Sequence, residues 1–167
     1  MVALKAAGLI ILVLLIQVVV VSQVTVFGAT GDIVLLLAIS AGIAAGPERG
    51  AEVGFAAGLA YDLLLNTPLG LSALVYCIVG FVMGVIHTSV LRAAGWISVL
   101  NAVVGSAAGV IAYALVGRVL DQATFSGTPL PVIVGTVAVL NGILARPFIW
   151  ACRRVLTGRE RRRAFAP

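Results

Sequence analysis

The sequence predicts an all-α membrane protein, a compact bundle of six transmembrane helices, and three observations carry that class. Of its 167 residues 62% are hydrophobic and only 10% are charged, with a mean hydropathy of +1.19, a balance far from that of a soluble globular domain. The apolar residues gather into six stretches separated mostly by short turns rich in Gly, Pro, Asn and Asp. The basic residues cluster at alternate stretch ends, as expected where Lys and Arg are held on the cytoplasmic side. Residues 1–152 form the transmembrane domain on this reading, and residues 153–167, RRVLTGRERRRAFAP, a basic cytoplasmic tail.

The first stretch runs from Ala6 to Val26. Val20-Val21-Ser22-Gln23 loosely resembles a signal cleavage site, but the apolar run is too long for a secretory signal and only Lys5 precedes it, so it reads as a retained helix. A turn over Phe27–Asp32 closes the first hairpin and places Asp32 to cap the next helix. The second and third stretches, Ile33–Ala45 and Ala51–Leu65, hold about 13 to 15 residues each, against about 20 for a hydrocarbon core of about 30 Å. They are expected to tilt within the bundle or borrow flanking residues, the alternative being a re-entrant hairpin around Gly46–Gly50. Asn66, Pro68 and Gly70 form the next turn, with Pro68 ending one helix and preorganising the start of another. The fourth, fifth and sixth stretches are Leu69–Val90, Ile97–Val119 and Pro131–Ala151, the last preceded by the longest loop, DQATFSGTPLP.

With both termini cytoplasmic, Lys5, Arg49, Arg92 and the tail arginines Arg153, Arg154, Arg159, Arg161, Arg162 and Arg163 lie inside, Arg118 alone lies outside, and Arg146 falls within the sixth stretch. The predicted location is a membrane crossed several times, with both termini on the cytoplasmic side. The tail is expected to meet anionic lipid of the cytoplasmic leaflet rather than nucleic acid, although plain fixation of topology explains it equally.

Glycines recur four apart at Gly42/Gly46, Gly50/Gly54, Gly54/Gly58, Gly80/Gly84 and Gly105/Gly109, which puts each pair on one helical face. Small residues let helix backbones approach closely in lipid. Gly54, Gly58, Gly80, Gly84, Gly105 and Gly109 are therefore candidates for internal packing, or for a face left bare to receive a partner's helix.

Asp62 is a carboxylate within an apolar helix, an expensive placement that marks a helix contact or a pathway. Counted at about 1.5 Å per residue from Ala51 it lies roughly 16 Å along, near mid-membrane. An Asp62–Arg146 contact, direct or through Asn141 or water, is the hypothesis, against protonation of Asp62 or its hydrogen bonds to Tyr61, Thr67 or backbone, with Arg146 snorkelling to the inner surface. Gln17, Gln23, Asn101 and Asn141 are candidates for interhelical hydrogen bonds, Glu52 for a helix-start acid or partner of Arg49, and His87 for a solvated interfacial residue.

Catalysis is not indicated. The chain has no HExxH, GxSxG or P-loop, and a lone histidine with scattered serines makes no convincing nucleophile and base. Cys77 and Cys152 lie at different depths and form neither a disulfide pair nor a metal framework. No enzyme, metal or cofactor is expected.

The stretch GxxxGLxxDLLxxxPLGxxAL, here Gly54 to Leu74 with Gly58, Leu59, Asp62, Pro68 and Gly70 in place, resembles the bacterial rod shape-determining MreD family. The likeness is specific over this segment and one of layout elsewhere; where the family pattern opens helix two with Pro-Asp, this chain has Gly31-Asp32. The resemblance implies a non-enzymatic component of the cell-elongation complex that scaffolds peptidoglycan synthesis. It also implies work beside an MreC-like bitopic protein, an MreB-like filament and a glycan polymerase with its transpeptidase. In fold it implies kinship with the substrate-capturing subunits of energy-coupling-factor transporters. The rival reading is a small-molecule-binding subunit of such a vitamin transporter, with ligand among Asn66, Asp121, Asn141 and the outer loops. The outer half reads as too sparse in polar and aromatic residues for that pocket.

Overall fold

The computed structural model describes residues 2–23, 25–26, 28–65, 68–90, 95–120 and 129–157. Within these the chain is helical: α1 (Val2–Val19), α2 (Ile33–Ala45), α3 (Pro47–Leu64), α4 (Leu71–Val90), α5 (Gly95–Val119) and α6 (Leu130–Leu156). A short 3-10 turn, Val21–Gln23, and a two-stranded hairpin, β1 (Thr25–Val26) antiparallel to β2 (Ala29–Thr30), join α1 to α2. Gly28 sits in that hairpin turn at φ 79°.

Among the described residues four segments are long and apolar enough to cross a membrane: Leu4–Gln23, Leu71–Thr88, Trp96–Val119 and Leu130–Leu156. The other two helices are of a different kind. At 13 residues α2 is about 20 Å long, and it is the centre of the bundle rather than its wall. Every residue from Ile33 to Ile43 is buried, with α3, α4 and α6 packed most closely around it. Such a helix is apolar all round because every face meets protein.

Gly46 alone separates α2 from α3. It adopts φ 92°, which a side chain would strain, and Pro47 then occupies the first helical position, where its missing N–H is no loss. The sequence reading began this helix at Ala51; the stretch expected as a connecting turn, Gly46–Gly50, is instead mostly the first turn of α3. At the other end α6 continues to Leu156, so Arg153 and Arg154 belong to its last turn rather than to a separate tail. Arg154 lies over the Trp150 ring, 4.8 Å from its centroid, a cation–π contact at the helix end. Arg159, Arg161, Arg162 and Arg163 fall outside the described residues, as do Asn66 and Arg92.

The glycines explain how α3 and α4 meet. A methyl placed on Gly54 would stand 2.3 Å from the Tyr76 carbonyl oxygen, one on Gly50 2.4 Å from that of Gly80, and one on Gly58 2.7 Å from the Ala73 Cα. Gly84 fits against Pro47 in the same way, at 2.5 Å, so the contact runs antiparallel along both helices. Gly42 of α2 joins this seam, facing the Gly80 carbonyl. Gly105 and Gly109 of α5 face side chains instead, those of Met83 and Leu35. All six candidate glycines are thus covered by the chain's own helices, and the alternative of a bare partner face is corrected at these positions. The outward surfaces carry Leu, Ile, Val and Phe, with Trp96 and Trp150 exposed toward the Pro47 end of the bundle.

Candidate functional site

Polar side chains converge at the end of the bundle that holds Asp32, because two helices begin there inside protein. A helix N-terminus leaves up to four N–H groups without intrahelical partners, and in an apolar bundle they need acceptors from elsewhere. For α2 the acceptors come from its own cap and from α1. Asp32 Oδ1 accepts from the Leu35 N–H at 2.8 Å, and Gln17 Oε1 accepts from the Ile33 N–H at 2.9 Å. The amide of Gln17 donates to the Gly31 carbonyl at 3.0 Å and to the Tyr61 hydroxyl at 3.4 Å, tying α1 to α3.

For α4 the acceptor is Asp62. Its carboxylate, 1% exposed, receives the N–H groups of Gly70 at 2.9 Å, Ser72 at 3.1 Å and Ala73 at 3.3 Å. The preceding turn is shaped for this: Gly70 takes φ 99°, and Gly58, one turn before Asp62, brings the α4 backbone within reach. The motif Gly58…Asp62…Pro68…Gly70 is therefore a clasp, in which a carboxylate of α3 caps α4 across a tight turn, favoured further by the positive end of the helix dipole.

This geometry corrects the expected Asp62–Arg146 contact. Asp62 lies two residues before the end of α3, turned to the start of α4. Arg146 is exposed, and with Arg153, Trp150, Ser98, Val99 and Ile149 it lines a crevice of about 230 Å³ between α5 and α6, toward the opposite end. Nor does Asn141 bridge the two. Fully buried, it donates to the Asp32 carbonyl at 3.0 Å and to the Ser106 hydroxyl at 2.9 Å, linking α6, α2 and α5. Glu52 pairs with Arg49 at 2.5 Å on the exposed surface, a contact of about 0.5 kcal/mol or less.

The structure also brings together residues that the sequence reading did not connect, with Tyr76 and Tyr113 not singled out there at all. A cavity of about 310 Å³ opens beside Asp32, lined by all three tyrosines of the chain, Tyr61, Tyr76 and Tyr113, from three different helices. Tyr76 donates its hydroxyl proton to Asp32 Oδ2 at 2.5 Å. Burial pushes the Asp32 carboxyl above its usual range, opposed by the N–H groups of Leu35 and Val34 and by the Tyr76 hydroxyl. The expectation that this half lacks a polar and aromatic pocket is therefore overturned. The usable signal was positional: each tyrosine lies within a few turns of a helix end at this side. Among the described residues no group of three or more His, Cys, Asp or Glu is placed to hold a metal ion.

Residues 3–154 of the 167 match the family of rod shape-determining protein MreD. No curated protein and no solved structure matches the chain. The clasp at Asp62 lies within the matched residues and holds two helices together by backbone geometry that few residue types satisfy. The chain belongs to the MreD family of rod shape-determining membrane proteins.

Proposed function

We propose that the chain acts as a non-enzymatic scaffold of the bacterial cell-elongation complex, multi-pass in the cytoplasmic membrane with both termini inside, supporting peptidoglycan synthesis through contacts between helices. Family membership over residues 3–154 is the observation that carries this reading. The partners are an MreC-like bitopic protein and, through it or directly, an MreB-like filament and the glycan polymerase with its transpeptidase. Kinship in fold with substrate-capturing subunits of energy-coupling-factor transporters belongs to the same reading.

The glycine seams are occupied internally, so a partner helix is met on an outward, lipid-facing surface. On α1 and α6, Gly8 and Gly135 have open space where a side chain would stand, and they mark places where a second backbone can approach. At the Pro47 end, Arg146 and Arg153 share a crevice with Trp150, an arrangement suited to the phosphate of an anionic lipid.

Depletion in a rod-shaped host, combined with photocrosslinking from single sites, tests the proposal. Depleted cells should round up, and crosslinkers at outward positions Gly135 and Val139 should capture the bitopic protein while one at buried Val53 should not. Unchanged rod growth on depletion sinks it.

A further inference from the structure

Asp32 does more than a cap requires. A helix start is satisfied about equally well by Asn or Ser, which are neutral and far less costly to bury than a carboxylate. Here the carboxylate is placed inside the bundle and on the wall of the 310 Å³ cavity, and among the described residues no Lys, Arg or His lines that cavity. A carboxylate offers about four acceptor sites, and the N–H groups of Leu35 and Val34 and the Tyr76 hydroxyl account for three of them. The charge itself has no counter-charge among the lining residues.

The remaining wall has the complementary chemistry. Tyrosine rings attract cations through their electron-rich faces and offer hydroxyl oxygens as acceptors, and three of them converge here. Val110 and Val137 complete an apolar side suited to methylene or methyl groups. The volume stands at the lower end of the range of about 300–1,000 Å³ for small-ligand pockets. An anionic ligand would meet the Asp32 charge in a poorly screened site and be repelled.

We propose that this cavity binds a small organic cation, its ammonium group set against the Asp32 carboxylate and its carbon groups among Tyr61, Tyr76 and Tyr113. The ammonium comes either from a free amine or from the head group of a zwitterionic lipid reaching into this end of the bundle. The inference does not depend on the scaffold reading and is tested without it.

The purified full chain is titrated in detergent with choline chloride and ethanolamine hydrochloride, against sodium chloride at equal ionic strength, reading intrinsic fluorescence and the thermal midpoint. In a second arm it is placed in nanodiscs of phosphatidylglycerol with or without phosphatidylethanolamine, and retained lipid is read by native mass spectrometry. Saturable binding of a free probe, or retention of one phosphatidylethanolamine, is expected, and whichever occurs identifies the source. Asp32→Asn keeps the cap but removes the charge, and should weaken binding at least about tenfold. Tyr113→Leu keeps the charge, removes one ring and should weaken it about threefold, so it decides the matter if the first variant does not fold. Neither probe binding above sodium chloride nor lipid being retained overturns the proposal, as does binding unchanged in the folded variants.

Discussion

Removing the Asp62 carboxylate should separate α3 from α4 at their shared turn. In Asp62→Ala three N–H groups, those of Gly70, Ser72 and Ala73, lose their acceptor, and the last two are buried where water does not replace it. Each buried donor left unsatisfied costs about 1–3 kcal/mol, and loss of a cap about 0.5–2 kcal/mol, two overlapping descriptions of one defect. Counting the two buried donors alone, since the cap describes the same defect, the expected loss is about 2–6 kcal/mol. Asp62→Asn retains one acceptor oxygen without the charge and should cost about 1–2 kcal/mol. Reversible unfolding in mixed micelles, followed by tryptophan fluorescence and far-ultraviolet circular dichroism, measures both. A fall of less than about 0.5 kcal/mol for the alanine variant refutes the clasp, since that is the range of an uninvolved surface position. So does recovery of the loss by exchanging the charges at positions 62 and 146, because the clasp gives Arg146 no share in Asp62.

Two further predictions concern packing and lipid. Gly54→Ala places a methyl 2.3 Å from the Tyr76 carbonyl oxygen and should destabilise the bundle by about 1–3 kcal/mol in the same assay, while Gly135→Ala, with nothing within 4 Å, should be neutral. Neutralising Arg146 and Arg153 together should reduce retention of phosphatidylglycerol in native mass spectra, by about fivefold for each charge at about 1 kcal/mol apiece, and added salt should narrow the difference from the unmodified chain.

The class of the protein was legible in the sequence because hydropathy and turn chemistry are written along one dimension. The extent of α2 at Ile33–Ala45, the cap at Asp32 and the turn before Leu71 all follow from local rules about apolar runs, carboxylate caps, Pro and Gly. The stretch Gly54 to Leu74, on which the family resemblance was read, is contiguous in the chain, and the clasp residues Gly58, Asp62, Pro68 and Gly70 lie within it.

What the tertiary structure decided was which surface each residue meets. Glycine spacing shows that a face is smooth, but whether another helix of the same chain fills it depends on how the helices are arranged, and here they fill it at Gly54 and Gly80. A sequence displays side chains and conceals main-chain amides, so Arg146 stood out as the partner for Asp62 while the N–H groups of Gly70, Ser72 and Ala73 did not. Tyr61, Tyr76 and Tyr113 are far apart along the chain and share one cavity only because antiparallel helices return distant residues to the same depth. Burial in a bundle depends on contacts across helices, and those contacts, rather than composition, set what each polar group needs.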